Sequence, residues 1–225
     1  LSKFSLLLAN SLVYDSVLAM IMKKILSFAA SIIKLFIILN FIVILNVFAD
    51  NNKYYSDDKG ILSIMYHRFN EKKYPSTNIN MEVFKKQIEI IKNNNINFNN
   101  PDNFNNNFDS KKPKKEILIT IDDAFTSFYE NAWPFLKKEK IPFILFVSTQ
   151  PVGKNGYMNW SQIKEVEKEE FAFIGNHSHS HEYLIEYNFE EFKKDIDTSI
   201  KIFNEKIGYN PIFFSYPFGE YSLEQ

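Results

Sequence analysis

The sequence contains no cysteine. That excludes disulfide scaffolds, cysteine nucleophiles and thiolate metal sites, and leaves His, Asp and Glu as the residues able to hold a metal. Nor is there an excess of either charge: 26 Lys and Arg stand against 27 Asp and Glu, for a net charge of −1. No nucleic-acid-binding surface is therefore expected. Internal repeats are absent, and histidine is scarce, with four in 225 residues. What is present, 45% hydrophobic and 24% charged residues, suits one globular domain with an additional segment and excludes a disordered or collagen-like chain.

The additional segment lies at the start. Met22-Lys23-Lys24 opens a basic stretch closed by Lys34, followed by an apolar run from Leu35 to Phe48 broken only by Asn40 and Asn46. Val47-Phe48-Ala49 ends the run with small residues spaced as at a cleavage site, so residues 22–49 read as a secretory signal. Counted from Ile25, the apolar stretch also approaches the roughly 20 residues of a membrane span, so an uncleaved anchor is the alternative. Either way, the rest of the chain is expected to be exported, to a periplasmic or extracellular location. Residues 1–21 precede this signal and read as upstream translation. Residues 50–59 read as a linker and 60–225 as one domain.

Within that domain, short apolar runs recur: Ile61 to Tyr66, Ile117 to Ile121, Phe143 to Val147, Phe171 to Ile174 and Ile212 to Phe214. Nearly continuous and rich in β-branched or aromatic residues, they have the character of buried parallel strands. Helical patterns over Met81–Asn93, Phe125–Lys138 and Phe189–Lys206 alternate with them, which predicts an α/β layer or barrel. Asn93 to Asn107, with ten Asn among fifteen residues, reads as a loop.

Reactive groups in parallel α/β folds gather at the carboxyl ends of strands. Asp122-Asp123 follows the second run; adjacent carboxylates are costly unless they share a cation or a proton, although a helix N-cap with an acidic first turn is the plainer reading. Three of the four histidines fall in His177-Ser178-His179-Ser180-His181. On a starting helix, His177 and His181 share one face, as a metal requires, with His179 pointing elsewhere. Ser215-Tyr216-Pro217-Phe218-Gly219 forms a fixed turn after the fifth run, and His67 ends the first.

Thr120-Ile121-Asp122-Asp123, His177 to His181 and Tyr216-Pro217-Phe218-Gly219 resemble, in order and placement, the first three motifs of the polysaccharide deacetylases, the NodB-type domain of carbohydrate esterase family four. The resemblance covers about residues 60–225. It implies a distorted (β/α) barrel, incomplete here at the C-terminus, that removes N-acetyl groups from an N-acetylglucosamine-containing polysaccharide. It also implies Asp122 as general base and Asp123, His177 and His181 as ligands of a divalent metal. Pro217 and Phe218 would face the substrate, with the Phe218 N–H toward the oxyanion. Two imidazoles and a carboxylate suit Zn²⁺ first, and also admit Co²⁺, Ni²⁺ or Fe²⁺.

Two departures from the family pattern stand out. Ser215 occupies the position of an Arg that orients the base, and the later motifs, including a Leu-x-His that supplies the general acid, do not occur before Gln225. Deacetylases of poly-N-acetylglucosamine systems are similar in lacking that Arg and in taking the acid His from the first strand, which assigns the role to His67. The rival readings are a catalytically inactive carbohydrate-binding remnant and a non-functional fragment of a longer deacetylase. Trp160 and Tyr157 are candidates for lining a sugar groove. No oligomeric state is implied.

Overall fold

The computed structural model describes residues 60–104 and 115–223, together with residues 22–24, 26, 28 and 31–34. The chain divides into two units, Leu1–Tyr55 and Ser56–Gln225. In the first, the described residues are helical and exposed. The readings of residues 1–21, 35–49 and 50–59 lie outside the described residues. Among the described residues, no helix is long and apolar enough to cross a membrane.

The elements of the second unit, in chain order, are β1 (Gly60–Tyr66), β2 (Arg68–Phe69), β3 (Asn78–Ile79), α1 (Met81–Asn93), β4 (Asn97–Phe98), β5 (Lys115–Ile121), α2 (Trp133–Glu139), β6 (Phe143–Val147), α3 (Trp160–Glu167), β7 (Ala172–Asn176) and α4 (Phe189–Ile207). The main sheet runs β1-β5-β6-β7, with the short β4 also pairing β5, and every pairing is parallel. β1 and β5 pair along their whole length, from Gly60 opposite Lys115 to Tyr66 opposite Ile121. β2 and β3 form a separate parallel pair.

The period-2 alternation of each strand sends side chains to two distinct layers. Ile117, Ile119 and Ile121 of β5, with Phe143, Leu145 and Val147 of β6, join the main core against Phe84, Ile88 and Ile91 of α1, Leu136 of α2, Ile163 and Val166 of α3, and Phe203 of α4. Leu118, Ile144 and Phe146 point to the other face and pack with Ile61, Phe104, Phe173 and Phe213. Burial on both faces explains the uninterrupted apolar runs, each fully buried Phe, Ile or Leu contributing about 1.5–3 kcal/mol. β1 is covered less completely, with Leu62 and Met65 exposed.

Two expected elements change form. The run Ile212 to Phe214 contributes one bridge, Phe214 beside Asn176, rather than a strand, and Ile212 is 85% exposed. The helical pattern Phe125–Lys138 splits into a π-turn, Phe128–Ala132, and α2. Pro134 is the reason: it has no N–H to donate to Glu130, and the wider turn accommodates the gap. α3 was not among the expected helices. Within the Asn-rich stretch, β4 pairs with β5, and a 3-10 turn, Pro101–Asn103, is capped by Asn100, whose side-chain oxygen accepts from the Asp102 N–H at 3.0 Å.

Candidate active site

The site forms where β1, β5 and β7 end. Asp122 continues the ladder, its N–H donating to the Tyr66 carbonyl at 2.8 Å. The chain then turns through two successive left-handed residues, Asp123 (φ 72°) and Ala124 (φ 54°). For residues with a Cβ, this conformation costs about 1–2 kcal/mol each. The helical residues begin only at Thr126, so Asp122 and Asp123 are not a helix N-cap.

The histidine motif reaches its geometry by a different route from the one its spacing suggests. Residues 177–183 form a loop, not a helix, because Ser178 (φ 68°) and His181 (φ 59°) are left-handed. That loop still converges His177 and His181, their ring centroids 5.0 Å apart. The Ser178 hydroxyl accepts from the His181 N–H at 3.0 Å, and the Asn176 side-chain oxygen accepts from the Ser178 N–H at 2.9 Å. His177 Nδ1 lies 2.8 Å from the Ser215 carbonyl. Since a carbonyl only accepts, Nδ1 carries the proton, and Nε2 is left with a lone pair aimed at the carboxylates.

Asp123, His177 and His181 together offer three ligand atoms within 4.8 Å of one another. His181 Nε2 stands 2.8 Å and His177 Nε2 3.6 Å from Asp123 Oδ1. Asp122 Oδ2 is 4.0 Å from His177 Nε2, while Asp122 Oδ1 is buried with no hydrogen-bond partner. This donor set and the orphaned carboxylate oxygen beside it fit a divalent cation of the zinc class.

The electrostatics separate the two carboxylates. Burial, reinforced by the charge of Asp123, pushes Asp122 up to about 7. Burial also acts on Asp123, but the hydrogen bond to and charge of His181, with His177 and His67, outweigh it and hold that carboxyl below its usual range. Burial takes His177 down to about 4. In His181 the hydrogen bond and charge of Asp123 overcome burial and raise the imidazole. His67 is close enough to feel Asp123 and His181, and burial lowers it.

Pro217 is buried and Phe218 is 52% exposed. Phe218 is left-handed (φ 61°); its ring stacks on Tyr183 at 3.9 Å and meets His181 edge-on at 5.0 Å. Asp122, Asp123, His177, His181 and Phe218 thus gather at one site, with His67 near enough to feel its charges, and Pro217 is the buried residue before Phe218 in the same turn. Tyr157 belongs to the same region: it packs on Phe125 at 4.9 Å, and burial with the charge of Asp123 raises its hydroxyl. Trp160 does not line the site. It packs edge-on against Phe203 at 5.9 Å.

Ser215, at the position where the resemblance implies an arginine, offers its backbone carbonyl to His177 Nδ1 at 2.8 Å. Arg68 does not compensate, since it pairs with Glu71 at 2.9 Å and lies over the rings of Phe125 and Tyr74. The sequence gives no sign of Asp195 on α4, which accepts from the N–H groups of His179 (2.7 Å) and Ser180 (3.0 Å).

The model of the family described as polysaccharide deacetylase matches residues 109–224, just over half of the chain. A poly-beta-1,6-N-acetyl-D-glucosamine N-deacetylase of Staphylococcus aureus (strain MRSA252) is 27% identical over 173 residues, covering 70% of this chain and 59% of that protein. The chain spans about 41–59% of the length of the first curated relatives it matches. Among solved structures, IcaB from Ammonifex degensii superposes with a TM-score of 0.64 at 26% identity, covering 73% of this chain and 77% of that one. The Streptococcus pyogenes deacetylase PplD, solved with acetate, gives 0.66 at 22% identity over 74% and 77% of the two chains, a likeness of fold. The parallel sheet described above is thus an arc of the NodB-type fold, and the chain belongs to the polysaccharide deacetylase family.

Proposed function

We propose that the protein is a metal-dependent hydrolase that removes N-acetyl groups from an N-acetylglucosamine-containing polysaccharide. The observation that carries this reading is the convergence of Asp123, His177 and His181 on one point beside the buried Asp122.

Asp123, His177 and His181 would hold the cation, Zn²⁺ in the first instance and Co²⁺, Ni²⁺ or Fe²⁺ as alternatives. Bound there, a divalent ion acidifies a water from 15.7 toward about 7 and polarises an acyl oxygen. Asp122, whose Oδ1 has no partner within the protein, would take the proton as the water oxygen bonds to the acetamide carbon. The Phe218 N–H would face the acyl oxygen, a kind of donor worth about 10²–10³ in rate. His67 would deliver a proton to the departing nitrogen. The C–N bond then breaks, and acetate and an amine leave. Burial lowers His67, so at a given pH the protonated form needed for this step is scarcer than in a free imidazole.

We assign the active domain to residues 60–225 and export to residues 22–49, which places the reaction in a periplasmic or extracellular setting, with the membrane involved only through an uncleaved segment. Ser215, which leaves Asp122 without an arginine partner, favours a second reading, a carbohydrate-binding protein without activity. One assay separates the two. The full chain should release acetate from a chitooligosaccharide or poly-N-acetylglucosamine, lose that activity with EDTA and regain it with Zn²⁺ or Co²⁺. Binding of the glycan without acetate release under any metal would establish the second reading.

A further inference from the structure

We propose that Asp195 is a positioning residue that sets the spacing of His177 and His181 from outside the site. The inference rests on the reading of those residues as metal ligands.

The loop between the two histidines does not hold its shape by local preference. Left-handed residues such as Ser178 and His181 persist only when their surroundings over-determine them. Several contacts do so here. Thr149 and Gln150 donate their N–H groups to the carbonyls of Ser178 (3.2 Å) and His179 (2.9 Å). Thr149 Oγ1 also meets His179 Nδ1 at 2.8 Å, so the ring of the middle histidine is turned away from the ligand atoms.

A further set of contacts comes from one face of α4. Asp195, Ser199 and Phe203 are its buried residues, spaced four apart, which lines them up along a single stripe. Phe203 anchors the stripe in the core against Trp160. Ser199 Oγ accepts from Asn176 Nδ2 at 2.8 Å and donates to the Ile196 carbonyl. The Asn176 side-chain oxygen in turn receives the Ser178 N–H. At the loop end, the two oxygens of Asp195 each take one of the consecutive N–H groups of His179 and Ser180. A carboxylate gripping two backbone donors makes charge-assisted bonds, shorter and about twice as strong as neutral ones. Asp195 is 7% exposed, so water competes little for those bonds. The residue touches none of the ligand atoms and acts through the backbone that joins them.

The test measures Zn²⁺ affinity of the metal-stripped full chain by competition with a chromophoric chelator, alongside thermal unfolding. Asp195→Asn keeps the shape but turns one acceptor into a donor facing an N–H. It should weaken Zn²⁺ binding by about 10–100-fold, the range for groups that orient metal ligands. Phe203→Leu, on the same stripe but in the core, should lower Tm without moving the dissociation constant by more than about threefold. Should D195N not unfold cooperatively, Ser199→Ala cuts the tether at Asn176 and should weaken binding beyond F203L. His181→Ala is the control for the site itself. D195N binding within about twofold of wild type while H181A binds none would overturn the role of Asp195 and leave the site standing. Wild-type affinity in H181A, or no Zn²⁺ uptake by the wild type, would overturn the site and this role with it.

Discussion

Asp122→Asn separates the stability of this protein from its chemistry. In the metal-free fold, burial and Asp123 raise Asp122 from 3.8 to about 7. Between those values, the folded state binds more protons than the unfolded one. The stability from this group is therefore complete below pH 3.8 and lost as pH rises through 7. About three pKa units at about 1.4 kcal/mol each put the penalty of the ionised carboxylate at about 4 kcal/mol at pH 8, relative to a neutral isostere. A buried amide without a partner retains about 1–3 kcal/mol of desolvation penalty. The net gain for D122N at pH 8 is thus about 1–3 kcal/mol, or about 2–12 °C in Tm for a domain of this size. At pH 5, about one unit above the unfolded value of 3.8, the penalty shrinks to about 1.6 kcal/mol, so the gain should fall by about 2–3 kcal/mol, to near zero or below. Circular dichroism melts of both proteins in EDTA at pH 5 and 8 read the difference directly. A variant less stable than wild type at pH 8, or a shift of equal size at both pH values, would refute the argument. Deacetylation by D122N should fall by about 10²–10⁴, the usual contribution of a positioned proton acceptor.

His67→Gln should lower kcat on an N-acetylated glycan by about 10²–10⁴, yet spare hydrolysis of 4-nitrophenyl acetate, whose leaving group departs without a proton. Equal losses on both substrates would remove His67 from the acid role. Gly175→Ala tests the packing beneath the site. An added Cβ would lie 2.3 Å from the Phe146 ring and 3.0 Å from Ile144, and overpacking of this kind costs about 1–3 kcal/mol. Its Tm should drop by about 2–12 °C, and an unchanged melt would show that the Phe146 ring moves aside freely.

The strands with continuous buried runs were legible in the sequence: β6 coincides with Phe143 to Val147, and of the apolar residues that mark α1, Phe84, Ile88 and Ile91 are buried while Val83 is exposed. Ile212 to Phe214 misleads because apolar character cannot reveal whether a neighbour is available for pairing. α3 hides because only two of its eight residues, Ile163 and Val166, are buried among charged neighbours. Its one local sign is the capping box of Asn159 and Gln162. The histidine spacing picks out the two rings that converge on Asp123, but through a helix that the loop does not form; the loop is tied to Asp195, whose partners lie 15 and 16 residues away. Long-range tethers of this kind leave no periodic trace.

The bond between His177 Nδ1 and the Ser215 carbonyl divides labour between the two imidazoles. His177 Nε2 is already bare at neutral pH, with its ring orientation settled in advance. The displaceable proton belongs to His181, whose affinity for it Asp123 strengthens. If these rings hold a cation as proposed, its binding would have to displace a proton chiefly from His181 rather than from His177.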